Sequence, residues 1–196
     1  MKRALGGATI GREMEEIERR AEAILAKLPA YVWRGELPPV PVEEIADTYF
    51  GLRVREVAAE EMRTAPGCPE LAEGETISGL LIPSLGEIWV NAEEAAEWPG
   101  RRRFTIGHEL GHHVLHRSGR RTLFCRRAAV DADPDAAPAR PPLPELEQEA
   151  NAFAAALLMP AELLRAEYAR DRRFEWLCEL FGASGAAMGR RLHAVI

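Results

Sequence analysis

Cysteine is scarce in this chain, with three among 196 residues. Cys68, Cys125 and Cys178 stand far apart and form no C-x-x-C pair. An odd count without a spacing pattern argues against a disulfide framework and for a reducing cytosol. Each thiol reads as a small buried or incidental residue rather than a ligand or nucleophile. No apolar run is long enough to span a bilayer, so no membrane partner is expected. The start, Met1 to Gly7, is basic but lacks an apolar stretch, so no signal peptide is expected and the location should be cytoplasmic. Positive charge is in deficit. The net charge of −6 argues against broad, nonspecific DNA binding. What the chain has is a 47% hydrophobic composition, enough for a real core, and a length that suits one compact domain.

Periodicity places the elements. Residues 12–28 carry Met14, Ile17, Ala21, Ile24, Leu25 and Leu28 as an apolar helical stripe that Pro29 ends. Leu37 to Pro41 is proline-rich and extended. Val42 to Tyr49 reads as a short helix stopped by Gly51, and Leu52 to Val57 alternates as a half-buried strand does. Residues 62–75 are loop-like. Thr76 to Ile82 and Glu87 to Asn91 flank the turn Pro83-Ser84-Leu85-Gly86 and predict a hairpin. A helix follows over about 100–116. Residues 117–143, with Pro134, Pro138, Pro141 and Pro142, predict a long loop. Leu146, Ala150, Phe153, Leu157 and Leu158 mark a helix closed by Pro160. Three more are expected over about 161–168, 174–181 and 184–195, with Gly182 as a break.

The most informative stretch is His108-Glu109-Leu110-Gly111-His112, an H-E-x-x-H pattern. Residues four apart share a helix face, so both imidazoles can point at one metal ion. Glu109 sits at the edge of that face, within reach of a water on the ion. Two neutral nitrogen ligands and a carboxylate base are what a zinc hydrolase needs. Phe104, Ile106, Leu110, Val114 and Leu115 give the helix an apolar stripe, so it should be packed rather than solvated.

Such a site takes three protein ligands and leaves a position for water. The helix opening at Glu145 is the natural donor of the third, because it lies one loop away and can pack antiparallel. Glu147, Asn151 and Ala154 share one of its faces; Leu146, Ala150, Phe153 and Leu157 share the core face. Spacing favours Glu147 over Glu149, which is expected to face solvent, and either over a third histidine. His116, four residues beyond His112, reads as a group behind the ligands, a substrate contact, or a histidine favoured by the helix C-terminus.

Several segments together resemble the ImmA/IrrE family of metallopeptidases. They are Phe104 to His112 with Leu115-His116; Glu147-Gln148-Glu149-Ala150-Asn151 through Met159-Pro160; Ser78-Gly79-Leu80 with Gly86 to Asn91; Pro41 to Ala46; and Leu177 to Leu192. The resemblance implies an α+β, zincin-like domain: a small antiparallel or mixed sheet on a mainly helical body, with the H-E-x-x-H helix at its centre. It implies His108, His112 and Glu147 as metal ligands, Glu109 as catalytic base, and zinc, with manganese as the alternative. It also implies a helix-turn-helix repressor as the substrate, cleaved to switch on stress-response or mobile-element genes. The whole chain, 1–196, is expected to form one domain. Residues 1–100 would supply N-terminal helices and the sheet, 101–160 the metal-binding helices with loop 117–143, and 161–196 the C-terminal helices.

Further expectations attach to this reading. The strand Glu87 to Asn91 would hold substrate as an added strand, with Asn91 either in that role or ending the strand. His116, Tyr168 or an arginine would assist at the oxyanion. Arginines 101–103, 117, 120, 121, 126 and 127 flank the motif and form either a basic rim or a solvated face. The rival reading is a DNA- or repressor-binding module without turnover, because Leu177 to Ile196 has the helix, break, helix rhythm of a DNA-binding motif. Packing of that pair on the core through Leu180, Phe181, Met188 and Leu192 is the simpler account.

Overall fold

The structure, a computed structural model, describes residues 4–65, 68, 76–116, 123–127 and 144–196. It opens with helix α1 (Ala4–Leu25). Ile17, Ala21 and Ile24 are buried at helical spacing and Leu28 follows them in the next turn, whereas Met14, expected in the stripe, is exposed. A short helix, α2 (Val42–Glu44), runs on into a wider π-helical turn, Ile45–Tyr49, and Gly51 leaves it at a φ of 66°.

Four strands make one mixed sheet in the order β1 (Arg53–Val57), β3 (Glu87–Asn91), β2 (Thr76–Ile82), β4 (Leu123–Arg127). The predicted hairpin is present: β2 and β3 are antiparallel, with Leu80 opposite Trp89 and Leu81 opposite Ile88. β1 lies parallel to β3. The alternation of side chains sorts the sheet into two faces. Leu81, Ile88 and Val90 join the main helical core, while Ile77, Leu80, Ile82 and Trp89 form a second cluster with Val57, Met62 and Ala65. The short helix α3 (Ala59–Met62) brings Met62 to that outer face.

Two expectations change here. β3 is interior, paired on both sides, so it has no free edge on which a substrate strand could add. Asn91 ends the strand, one of the two roles expected of it, and also caps helix α4 (Ala92–Glu97), which periodicity did not suggest: its Oδ1 accepts from the Glu94 amide at 3.0 Å and its Nδ2 donates to the Ile77 carbonyl at 3.1 Å. In addition, the stretch expected to be one long loop contains β4, which pairs antiparallel with β2. The rest of 117–143 lies outside the described residues.

Helix α5 (Pro99–Leu115) carries the motif across the inner face of the sheet. Helix α6 (Glu145–Leu158) packs along it, and the reason is legible in side-chain size. Gly107 and Gly111, one turn apart, meet Ala154 and Ala150, also one turn apart. A Cβ on Gly107 would lie 3.3 Å from the Ala154 Cβ, and one on Gly111 only 2.9 Å from the Ala150 backbone. Small residues on both faces let the helix axes approach closely. Phe153 and Leu157 then seal the core from α6, whereas Leu146, expected on that face, is exposed. Helices α7 (Ala161–Arg170), α8 (Phe174–Phe181) and α9 (Gly185–Val195) close the molecule. Gly182, at a φ of 59°, makes the turn between the last two. Arg191 of α9 is buried on the Met159 carbonyl and the Glu18 carboxylate, tying α1 to the C-terminus.

Candidate metal centre

His108 and His112 lie one turn apart on the buried face of α5, each with a side chain 2% exposed. Their Nε2 atoms are 3.0 Å apart. From α6, one Glu147 carboxylate oxygen lies 3.2 Å from the His108 Nε2 and the other 3.2 Å from the His112 Nε2. Two donors each about 2.0–2.1 Å from a tetrahedral ion stand roughly 3.3 Å from one another. The three groups thus have the mutual spacing of ligands around one small cation, and they are the one cluster of histidine, cysteine and acidic groups among the described residues that could hold a metal ion.

The electrostatics agree with that donor set. Burial acts to raise the Glu147 carboxyl, but the two imidazoles outweigh it and hold the group at about 2, ionised. Burial holds the His112 imidazole below its usual value, so it stays neutral with a lone pair to offer. Glu109 is wholly buried, and among the described residues its carboxylate oxygens make no hydrogen bond of full geometry, the Leu81 backbone being the one weak partner. Burial pushes it up to about 8; His108 opposes this and Glu147 adds to it. A buried acid so weakly partnered is costly in a merely structural role and useful in one that exchanges protons. Gly79 of β2 makes room for it: a Cβ there would fall 2.8 Å from a Glu109 oxygen and 2.4 Å from the Thr105 methyl.

A second ring of groups holds the first. His108 turns its Nδ1 to the Asn151 Oδ1 at 3.1 Å, so Asn151 shares with Glu147 the helix face assigned from spacing. His112 turns its Nδ1 to the Nδ1 of His116 at 3.0 Å. Glu149 is not a free, solvent-facing acid: its carboxylate lies 2.6 Å from the His116 Nε2. The signal for this contact is in the sequence, since Glu147, Glu149 and Asn151 alternate through the first turns of α6, but no spacing rule says that the second acid answers a histidine on α5.

Other expected helpers are elsewhere. Tyr168 sits under the Arg172 guanidinium on α7 and does not line the cleft beside the centre. The arginines before the motif are spent internally: Arg101 on Glu94, Arg102 on Glu43 and Glu56, and Arg103 on the Val40 carbonyl. The side chains of the arginines after it lie outside the described residues. The cleft, of about 470 Å³, opens beside His108 between Ser78, Trp98, Phe104, Asn151, Ala187 and Arg190. Ser78 reaches it from a bulge, because Ile77 and Gly79 pair with β4 and Ser78 does not; its buried hydroxyl has no hydrogen-bond partner among the described residues.

A helix bearing H-E-x-x-H beneath a small mixed sheet, with a carboxylate delivered by the next helix, defines a metallopeptidase-type domain. Residues 73–193 match the model of the peptidase M78 family, described as the IrrE N-terminal-like domain, and the chain belongs to that family. The fold is similar to that of a solved Mycobacterium tuberculosis transcriptional regulator, with a TM-score of 0.50 and 18% identity over 91% of this chain and 46% of the other. The chain spans about half the length of that protein, and the likeness is one of fold alone. No curated protein sequence matches the chain. No helix among the described residues is long and apolar enough to cross a membrane.

Proposed function

We propose that the protein is a cytoplasmic, zinc-dependent endopeptidase that cleaves a helix-turn-helix transcriptional repressor and so releases stress-response or mobile-element genes. The observation that carries this reading is the convergence of His108, His112 and Glu147 at 3.0–3.2 Å beside the wholly buried carboxyl of Glu109. His108, His112 and Glu147 would hold the ion. Two nitrogens and one carboxylate favour zinc over manganese. When bound, the cation polarises the scissile carbonyl and makes water acidic enough to be deprotonated near neutral pH.

The chain's own groups do the rest. Glu109 takes the proton of the attacking water and gives it to the leaving amine. Burial holds its carboxyl up at about 8 while the site has no ion, and a bound cation would lower it and leave a carboxylate able to accept the proton. The flanking cleft offers aromatic walls at Trp98 and Phe104 and polar groups at Ser78 and Arg190 to seat the peptide. Family membership supports a repressor as the substrate, because the family that the sequence resembles typically cleaves one. Against a DNA-binding role, Arg191 and Met188 of α9 are buried in the core rather than presented outward.

The test is incubation of zinc-loaded protein with the helix-turn-helix repressor encoded beside its own gene. Cleavage at one position, abolished by chelation and by Glu109→Gln with zinc still bound, is the expected result. Undiminished cleavage by Glu109→Gln overturns the assignment of the base.

A further inference from the structure

We propose that Glu149 and His116 act as a positioning pair that fixes which nitrogen of His112 faces the cation. The proposal rests on the reading of His112 as a ligand and adds two residues to the machinery. Its basis is a row of contacts running away from the centre: His112 Nδ1 to His116 Nδ1 at 3.0 Å, and His116 Nε2 to a Glu149 oxygen at 2.6 Å. The His116 side chain is 7% exposed, so water does not compete freely for its nitrogens.

The proton positions follow from what each group can do. An ionised carboxylate only accepts, so the His116 Nε2 must donate to Glu149. A His116 with a single ring proton has thereby placed it on Nε2, and its Nδ1 is an acceptor. A close contact between two ring nitrogens needs one proton, so His112 carries it on Nδ1 and donates it. The His112 Nε2 is left with its lone pair, aimed at the point where the His108 Nε2 and Glu147 also converge. Asn151 does the same for His108 in one step, because its Oδ1 accepts the Nδ1 proton. Each imidazole is thereby locked in the tautomer that a metal ligand requires, and its ring is held in orientation.

The local build explains why the pair forms. His116 is the residue at which α5 ends, one turn after His112, and its amide still bonds the His112 carbonyl at 3.0 Å. Glu149 stands in the first turns of α6, brought near by the same close helix approach that delivers Glu147. The two acids of α6 therefore divide the work: Glu147 faces the centre itself, and Glu149 faces the histidine that stands behind His112.

Two variants of the full chain, Glu149→Ala and His116→Ala, test this alongside the wild type. The first readout is the tautomer of His112 in metal-free protein, from the nitrogen chemical shifts of labelled histidine. The second is zinc affinity by chelator competition. Wild type is expected to hold His112 protonated at Nδ1, and both variants to show mixed tautomers. Zinc affinity should fall by about 10- to 100-fold in each variant. A purely structural loss would not move the tautomer in a variant that stays folded. Unchanged tautomer and unchanged affinity in both variants overturn the proposal. Failure of the wild type itself to bind zinc overturns the ligand reading and the pair's role with it, and is told apart because no substitution is involved.

Discussion

Gly111 on α5 lies so close to Ala150 on α6 that a Cβ there would stand 2.9 Å from both the Cα and the carbonyl oxygen of Ala150. The contact is backbone against side chain, so nothing flexible can yield. Gly111→Ala is therefore expected to push α6 outward and carry Glu147 and Asn151 away from the two histidines. Overpacking of this kind costs about 1–3 kcal/mol. Chemical denaturation should register that loss, and zinc titration a weaker site. Wild-type stability together with wild-type zinc affinity would show that the close approach does not set the centre.

Glu109 makes the metal-free protein sensitive to alkali. Burial pushes its carboxyl up to about 8 from an ordinary 4.5, so folding takes up a proton between those values. The stability tied to this group is complete below about 4.5 and is lost as the pH rises through about 8. Glu109→Gln has no such proton to lose. Urea unfolding of the two metal-free proteins from about pH 5 to about pH 9 should show the wild type falling by a few kcal/mol relative to the variant, levelling off at the top. Parallel profiles would contradict the burial of a lone carboxyl there.

Glu87 predicts the opposite slope at the acid end. The Trp89 indole N–H, at 2.8 Å, holds its carboxyl below the usual range; burial opposes this, and Arg55 and Arg53 add to it. A lowered folded value gives stability that is present above about 4.5 and lost as the pH falls through the folded value. Glu87→Gln should cost about 1–3 kcal/mol near neutrality, with the difference vanishing in acid. Thermal melts at both ends of that range check it. A cost that is independent of pH would assign Glu87 a packing role only.

The centre was more legible in the sequence than its surroundings. His108, Glu109 and His112 follow from a four-residue spacing on an apolar helix, and Glu147 from the face it shares with Asn151. The hairpin follows from alternation around a turn ending in glycine. What escaped depends on contacts between distant segments. Glu149 looks like a surface acid until His116 is placed opposite it. Asn91 ends its strand as expected, but its bonds to the Glu94 amide and the Ile77 carbonyl are not visible from spacing. The arginines 101–103 look like a basic rim because their partners, Glu94, Glu43, Glu56 and the Val40 carbonyl, lie up to 63 residues away. The four glycines and alanines that meet between α5 and α6 were present in the letters, yet only packing reveals that these small residues set the distance from the two histidines to Glu147.

The most direct test of the account is metal analysis of the purified protein beside Glu147→Ala. The account predicts one zinc per wild-type chain, and an affinity lowered by more than about 100-fold when the carboxylate is removed. Full zinc occupancy with unaltered affinity in Glu147→Ala would contradict it.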